Sequence, residues 1–330
     1  MESQWNDKVF GISGAGFDEL ALEVFHFQYT NNEIYRQYAD ALGVSPADVR
    51  TVKEIPFLPI RFFKTHRVLT GHDEPRLVFE SSGTTGANTS RHVVSDPDIY
   101  KESFRRGFRL FYGDPGQYCI IGLLPAYLER QHSSLVYMVN DLIGQSGHPD
   151  GGFYLDQHEK LYKLLQSLED SKQKTLLIGV TFGLLDFAER YNLRLRHTIV
   201  METGGMKGRR KEMVRAEVHE ILKQALGVDV VHSEYGMTEL LSQAYSRGEG
   251  MFACPPWMKI MLRDEEDPFS ILSGTEKRVS GVINIIDLAN IYSCSFIATD
   301  DAGRLYPDGS FEVLGRMDNS DLRGCSLMVV

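Results

Sequence analysis

At 330 residues, 42% of them hydrophobic and with 18 Phe and 15 Tyr, the chain has the material for a large folded core, which excludes a disordered protein. A net charge of −10, with no cationic run longer than Gly208-Arg209-Arg210-Lys211, argues against nucleic-acid binding. The opening Met1-Glu2-Ser3-Gln4-Trp5-Asn6-Asp7 lacks the pattern of a secretory signal and no apolar run reaches membrane-spanning length, so a cytoplasmic protein without a membrane span is expected.

Residues 1–75 read as a helical, aromatic segment. Phe17, Leu20, Val24 and Phe27 recur at helical spacing, and a second periodic run covers 34–42 and ends at Gly43. Ile55-Pro56-Phe57-Leu58-Pro59 then breaks the helix. From 76 to 254 strands and helices alternate: a strand at 76–80, a turn-rich loop at 81–88, a helical stripe at 98–111 and an apolar run at 118–124. Helices around 135–143 and 159–168, a buried-looking run at 175–180, a helix and a strand at 197–201 follow. A helix with Val214, Val218, Ile221, Leu222 and Ala225 on one face ends at Gly227, and 228–232 reads as the next strand. This alternation predicts an α/β fold with layered, mostly parallel sheets covered on both sides. Over 255–330 shorter pieces (260–262, 281–286, 295–298, 311–314), separated by turn signals such as Pro307-Asp308-Gly309, predict a smaller β-rich subdomain.

Three motifs carry chemistry. Ser81-Ser82-Gly83-Thr84-Thr85-Gly86 follows a predicted strand; small residues with free backbone N–H groups and hydroxyls can wrap a polyphosphate, although a plain Ser/Gly turn has the same composition. It is not a P-loop, because Gly-Lys-Ser/Thr is absent. Ser233-Glu234-Tyr235-Gly236-Met237-Thr238-Glu239 lies after the predicted strand 228–232, where open α/β sheets place ligands. There Tyr235 can stack on a base, Thr238 bond a phosphate and Glu239 hold Mg²⁺, or Tyr235 can be a core aromatic and Glu239 a solvated helix start. Thr299-Asp300-Asp301-Ala302-Gly303 precedes Gly315-Arg316-Met317-Asp318-Asn319. A carboxylate there suits a ribose diol with an arginine beside it, and a turn aspartate is the alternative.

In this order the motifs resemble the adenylate-forming superfamily of acyl-CoA synthetases, luciferases and peptide-synthetase adenylation domains. Within it the chain looks most like the acyl-protein synthetases of bacterial luminescence, the LuxE type, with phenylacetate-CoA ligases as cousins. Phe57-Leu58-Pro59-Ile60-Arg61-Phe62-Phe63-Lys64, Leu124-Pro125-Ala126-Tyr127-Leu128-Glu129-Arg130, Gly204-Gly205-Met206-Lys207-Gly208 and Pro255-Pro256-Trp257-Met258-Lys259 carry that likeness. The resemblance implies ATP and Mg²⁺ as cofactors. Ser81, Ser82, Gly83, Thr84, Thr85 and Gly86 would hold the phosphates, and Gly204 and Gly205 would border the adenine and acyl pocket. Tyr235, flanked by Glu234 and Gly236, would pack on adenine. Thr238 would touch the α-phosphate, Glu239 bind Mg²⁺, Asp301 take the ribose hydroxyls, and Arg316 support the nucleotide.

The sequence departs from the superfamily in two places. The phosphate loop usually continues to a lysine, whereas Ala87-Asn88-Thr89-Ser90-Arg91 offers only Arg91. The chain also stops 12 residues after Asp318, where most relatives continue into a mobile domain bearing a catalytic lysine; the LuxE type shares the short ending. Lys207 is a candidate replacement, or a solvated residue at a helix start. His132 falls where relatives often gate the acyl pocket, with a surface histidine as the alternative. Cys119, Cys254, Cys294 and Cys325 make no CxxC pair, so neither a zinc site nor a disulfide framework is expected. By the resemblance Cys325 is the acyl acceptor, with Arg323 beside it to favour the thiolate; a small residue in an apolar terminal strand is the alternative. The expected activity is ATP-dependent conversion of a carboxylic acid, a fatty acid foremost, to acyl-AMP, with transfer to a protein thiol. An acyl reductase or acyl-carrier partner is implied. A CoA ligase and a non-catalytic nucleotide- or acyl-binding subunit are the alternatives.

Overall fold

The computed structural model describes residues 2–81, 89–125, 132–204, 213–272 and 278–317. The amino-terminal segment forms α1 (Glu2–Phe10), α2 (Phe17–Asn31) and α3 (Glu33–Ala41), and buried polar side chains fasten it to the far end of the chain. Gln28 donates to the carbonyl of Ile291 at 2.9 Å and accepts from the N–H of Ser295 at 3.0 Å. Asn32 caps α3 by accepting from Tyr35 N and donates to the Ser293 carbonyl at 2.8 Å. Phe25, Tyr35 and Phe57 enclose Phe296. Strand β1 (Leu58–Pro59) leads into the short helix α4 (Phe62–Thr65). Strands β2 (Leu77–Glu80) and β3 (Arg91–Val94) form a separate antiparallel hairpin.

The α/β alternation expected for the middle of the chain is present. It runs α5 (Pro97–Tyr112), β4 (Cys119–Leu123), α6 (Ser134–Ser146), β5 (Gly152–Phe153), α7 (His158–Asp170) and β6 (Thr175–Val180). It continues with α8 (Thr181–Ala188), β7 (Thr198–Thr203), α9 (Arg215–Leu226) and β8 (Val231–Tyr235). Local chemistry sets the ends. Asp96 caps α5, with Pro97 in its first turn, and Ser133 caps α6, which stops at left-handed Gly147. Strands β4 to β8 pair in parallel, and alternate side chains enter opposite cores. Ile120, Leu176 and Ile178 face the core shared with α5 and the amino-terminal segment; Ile121, Leu177 and Val200 pack under α7, α8 and α9.

Beyond β8 the strands turn antiparallel: β9 (Ala244–Ser246), β10 (Phe252–Ala253), β11 (Met258–Arg263), β12 (Val279–Asp287), β13 (Phe296–Leu305) and β14 (Phe311–Arg316). Among the described residues they continue the same sheet, in the order β11-β12-β13-β14-β10-β9-β8-β7-β6-β4-β5, with β1 lying parallel to β13.

Three local expectations are corrected. Strand β8 begins at Val231 rather than residue 228, so Ser233, Glu234 and Tyr235 are strand residues, not loop, the first two paired with β7 and Tyr235 with Ala244 of β9; an apolar run does not reveal which residues its neighbour's ladder reaches. On α9 Val218 and Leu222 are buried, but Val214 is 64% and Ile221 37% exposed, because the helix faces α8 over a narrower stripe than its apolar pattern. The late strands are not all short: β12 has 9 residues and β13 has 10, running straight through the polar Thr299-Asp300-Asp301.

Candidate active site

The carboxyl ends of β6, β7 and β8 open on one side of the sheet. After β6 the Thr181 hydroxyl donates to the Gly204 carbonyl at 2.5 Å. Gly204 has φ +69°, a conformation that favours glycine. Glu202, buried on β7, receives Arg215 at 3.1 Å and lies 3.7 Å from His219; hydrogen bonding from His219 and Ser233 and the charge of Arg215 outweigh the burial and lower its pKa. Glu234 points inward to the hydroxyl of Thr203, and burial, with Glu202 nearby, pushes its pKa up to about 7. Next comes Gly236, where a Cβ would stand 2.4 Å from Glu234 Oε1. Gly236, Met237 and Thr238 are half-buried, whereas Glu234, Tyr235 and Glu239 on either side are buried; this short loop is therefore the part open to solvent.

Two groups of side chains meet at this loop. In the first, the Tyr235 hydroxyl donates to Asp301 Oδ2 at 2.9 Å, and Arg316 Nε stands 3.5 Å from Asp301 Oδ1. Asp301 and Arg316 are direct partners across β13 and β14. The Tyr235 ring lies edge-on to Phe252 and Phe311. Burial raises the Asp301 pKa, while Arg316 and the tyrosine hydroxyl pull it back.

In the second group the mouth of the β2–β3 hairpin is closed by Ser81 and Ser90. Ser81 N donates to the Ser90 carbonyl at 3.0 Å, and Ser90 N donates to Ser81 Oγ at 2.9 Å. Ser90 also bonds the carboxylate of Glu239, which burial pushes toward the protonated form against the fields of Arg316 and Lys64. His92 Nδ1 donates to the Thr238 carbonyl at 2.8 Å, and burial lowers the ring's pKa to about 4. Asn290, 3.0 Å from His92 Nε2, donates to the Glu239 carbonyl at 2.7 Å. Asp287 accepts from Leu241 N and Ser242 N, fixing the chain just beyond Glu239.

Ser81, Gly204, Glu234, Tyr235, Gly236, Thr238, Glu239, Asp301 and Arg316 thus stand within one connected region. Ser82, Gly83, Thr84, Thr85, Gly86, Gly205, Lys207 and Cys325 lie outside the described residues. Asp301 is a strand residue rather than a turn aspartate, and Glu239 is buried rather than solvated. His132 is exposed and holds the edge strand β2 through Val78 and Glu80. Arg91 is 3.4 Å from Glu80. Cys119 and Cys294 are buried free thiols whose pKa values burial pushes up to about 12, and Cys254 is a half-buried free thiol. Sequence reasoning missed His92, Asn290 and Asp287. No motif surrounds them, and only the polar character of residues otherwise set in apolar runs hinted at a buried role.

Among the described residues no three His, Cys, Asp or Glu side chains gather as a protein-only metal site. One buried carboxylate with a raised pKa does fit a cation that takes its remaining oxygens from phosphates, as Mg²⁺ does. A groove of about 350 Å³ beside Gln166, Glu169, Asn192 and Arg194 lies at the opposite, amino-terminal ends of β6 and β7. There Glu169 accepts from the backbone N–H groups of Arg196 and His197, a structural clamp far from the strand ends where chemistry collects.

No protein-family model matches the sequence. The structure is similar to 2-hydroxyisobutyryl-CoA ligase in complex with 2-HIB-AMP and CoA (TM-score 0.65, 15% identity, 94% of this chain and 70% of that one). It is also similar to Bacillus subtilis O-succinylbenzoate coenzyme A synthetase in complex with AMP (TM-score 0.50, 18% identity, 76% and 50%). The fold is that of the adenylate-forming ligases. By sequence the chain is similar to the long-chain-fatty-acid–luciferin-component ligase of Vibrio harveyi, 22% identical over 333 residues that span 93% of this chain and 85% of that protein. The likeness to the LuxE-type synthetases therefore extends over nearly the whole chain. No helix among the described residues is long and apolar enough to cross a membrane.

Proposed function

We propose that this protein is an ATP-dependent adenylating enzyme that activates a carboxylic acid, a fatty acid foremost, as acyl-AMP and passes the acyl group to a protein thiol. The observation that carries the reading is the Tyr235–Asp301–Arg316 contact beside Glu239, on a fold shared with adenylate-forming ligases. Asp301 has the acceptor capacity for a ribose diol, with Tyr235 and Arg316 fixing its orientation. Thr238, on the open loop, is the hydroxyl offered to the α-phosphate, and Gly204 and Gly236 supply close backbone approach for the nucleotide and acid. Ser81 to Gly86 are assigned to the phosphates.

Glu239 is assigned to Mg²⁺, which when bound neutralises phosphate charge. The protein's own contribution is positioning: it holds the acid's carboxylate against the α-phosphorus and excludes water with the buried floor of Glu234, Tyr235 and Phe311. Segments 1–75, 76–254 and 255–330 are proposed as the parts supplying, respectively, the flank, the phosphate and acyl side, and the ribose side. Cys325 is the proposed acceptor, the luciferin-component ligase being the relative that favours it over CoA; Lys207 is assigned to the carboxylate. A reductase or acyl-carrier protein is the proposed recipient, and the cytoplasm the proposed location.

The test is ATP–pyrophosphate exchange across a panel of carboxylic acids, with mass spectrometry of the intact chain. Exchange with at least one acid and a thioester lost in Cys325→Ala are expected. Free acyl-CoA without acylated protein would replace the acceptor, and silence with every acid would leave only a binding role.

A further inference from the structure

The segment that precedes the phosphate hairpin is tied to the site from two sides. Strand β1 pairs with β13 at Leu58–Ile297 and Pro59–Ala298, and Ile60 N donates to the Ala298 carbonyl at 2.9 Å, three residues before Asp301. One turn later Phe63, 1% exposed, packs edge-on against His92 with ring centroids 5.6 Å apart. His92 in turn holds the carbonyl of Thr238. Next to Phe63 on the same short helix is Lys64. Its backbone is fixed by a hydrogen bond to Arg61, and its side chain is exposed.

The other described cations around the mouth already face carboxylates: Arg61 lies 3.8 Å from Asp300, Arg91 3.4 Å from Glu80, and Arg316 3.5 Å from Asp301. Lys64 has no ion-pair partner within 4 Å among the described residues, and it adjoins Phe63, whose ring meets the same His92 that holds Thr238. An ammonium in that position, on an anchored backbone and without a protein counter-ion, suits a polyphosphate that Glu239 approaches through a bridging cation.

Resting on the adenylation reading, we infer that Lys64 is a catalytic residue that binds the β- and γ-phosphates of ATP and stabilises the departing pyrophosphate. In the step a carboxylate oxygen bonds to the α-phosphorus while the bond from that phosphorus to the αβ-bridging oxygen breaks. The electron pair leaves with pyrophosphate and no proton moves. The ammonium meets the charge that grows on the leaving group, a contact that counts for more in the transition state than in the bound substrate.

The experiment compares ATP and AMP binding, with Mg²⁺ present, to the full chain and to Lys64→Met, Lys64→Gln and Lys64→Arg by calorimetry, alongside pyrophosphate exchange. Because AMP lacks the β- and γ-phosphates, Lys64→Met and Lys64→Gln should weaken ATP binding about 10-fold and leave AMP within about twofold. Exchange should fall about 100-fold, and Lys64→Arg should recover most of both. Unchanged melting temperatures are expected, since the side chain is exposed. Equal losses for ATP and AMP, or none for either, would overturn the role while leaving the adenylation reading intact. A wild-type protein that binds neither nucleotide would overturn both.

Discussion

The two halves of the sheet use their residues differently. In the parallel half, β4 to β8, strand interiors are packed on both faces, and polar groups of interest appear at the carboxyl ends: Thr203, Gly204, Glu234 and Tyr235. In the antiparallel half the polar groups sit within strands, with Asp301 and Arg316 opposed across β13 and β14. A parallel strand covered by helices has no open face for a charge, whereas an antiparallel strand can turn one face to a cleft. Along the sheet, β8 and β13 are four strand-to-strand steps apart, through β9, β10 and β14. Tyr235 nevertheless touches Asp301. Strands β9 and β10 are only 3 and 2 residues long, and the sheet curls there around Phe252 and Phe311. The difference teaches that the candidate site belongs to the seam where the pairing changes direction.

Perturbing one side of the seam at a time sharpens this contrast. The largest effect is expected from Glu239→Gln, which should cut pyrophosphate exchange about 1000-fold. Its melting temperature should stay the same or rise, because the amide removes a carboxylate whose charge burial disfavours. Retained exchange would place the cation ligand elsewhere.

At the end of the parallel half, Glu234 binds its proton more tightly in the fold, at about 7, than the ordinary value of 4.5. Its stabilising contribution is therefore complete below pH 4.5 and is lost as pH rises through 7, by up to roughly 3 kcal/mol. Denaturant midpoints measured from pH 4.5 to 8 should fall more steeply for the wild type than for Glu234→Gln; parallel profiles would show that the carboxyl is not desolvated.

In the antiparallel half Asp301→Asn should raise the KM for ATP about 100-fold, and Tyr235→Phe, which removes only the hydroxyl that orients Asp301, about 10-fold. If Tyr235→Phe equals or exceeds Asp301→Asn, the tyrosine rather than the aspartate meets the nucleotide. The smallest effect belongs away from the seam: Val214→Ser, at an exposed helix cap, should change stability by less than about 0.5 kcal/mol in denaturant melts, although its sequence pattern reads as core.

The elements were largely legible. Strand β6 is bounded as its apolar run suggests, and α3, α5, α6 and α7 fall where periodicity and caps place them. Strand β8 was displaced because register is a property of two strands. Strand β13 was cut short because its interior Asp300-Asp301 resembles a turn when the opposing Arg316 is not in view. His92 and Asn290, which join the hairpin to the Thr238–Glu239 loop, had no signature at all.

Sequence by itself determined the class of element at most positions, the three polar motifs and the order in which they occur, because side-chain periodicity, turn chemistry and caps act over a few residues. Tertiary structure alone decided that Tyr235 meets Asp301, that Ser90 meets Glu239, and that Ile60 meets Ala298. Those pairings join residues 66, 149 and 238 positions apart in the numbering, and only the curl of the sheet and the packing of the amino-terminal segment onto β13 bring such distant groups within reach of one ligand.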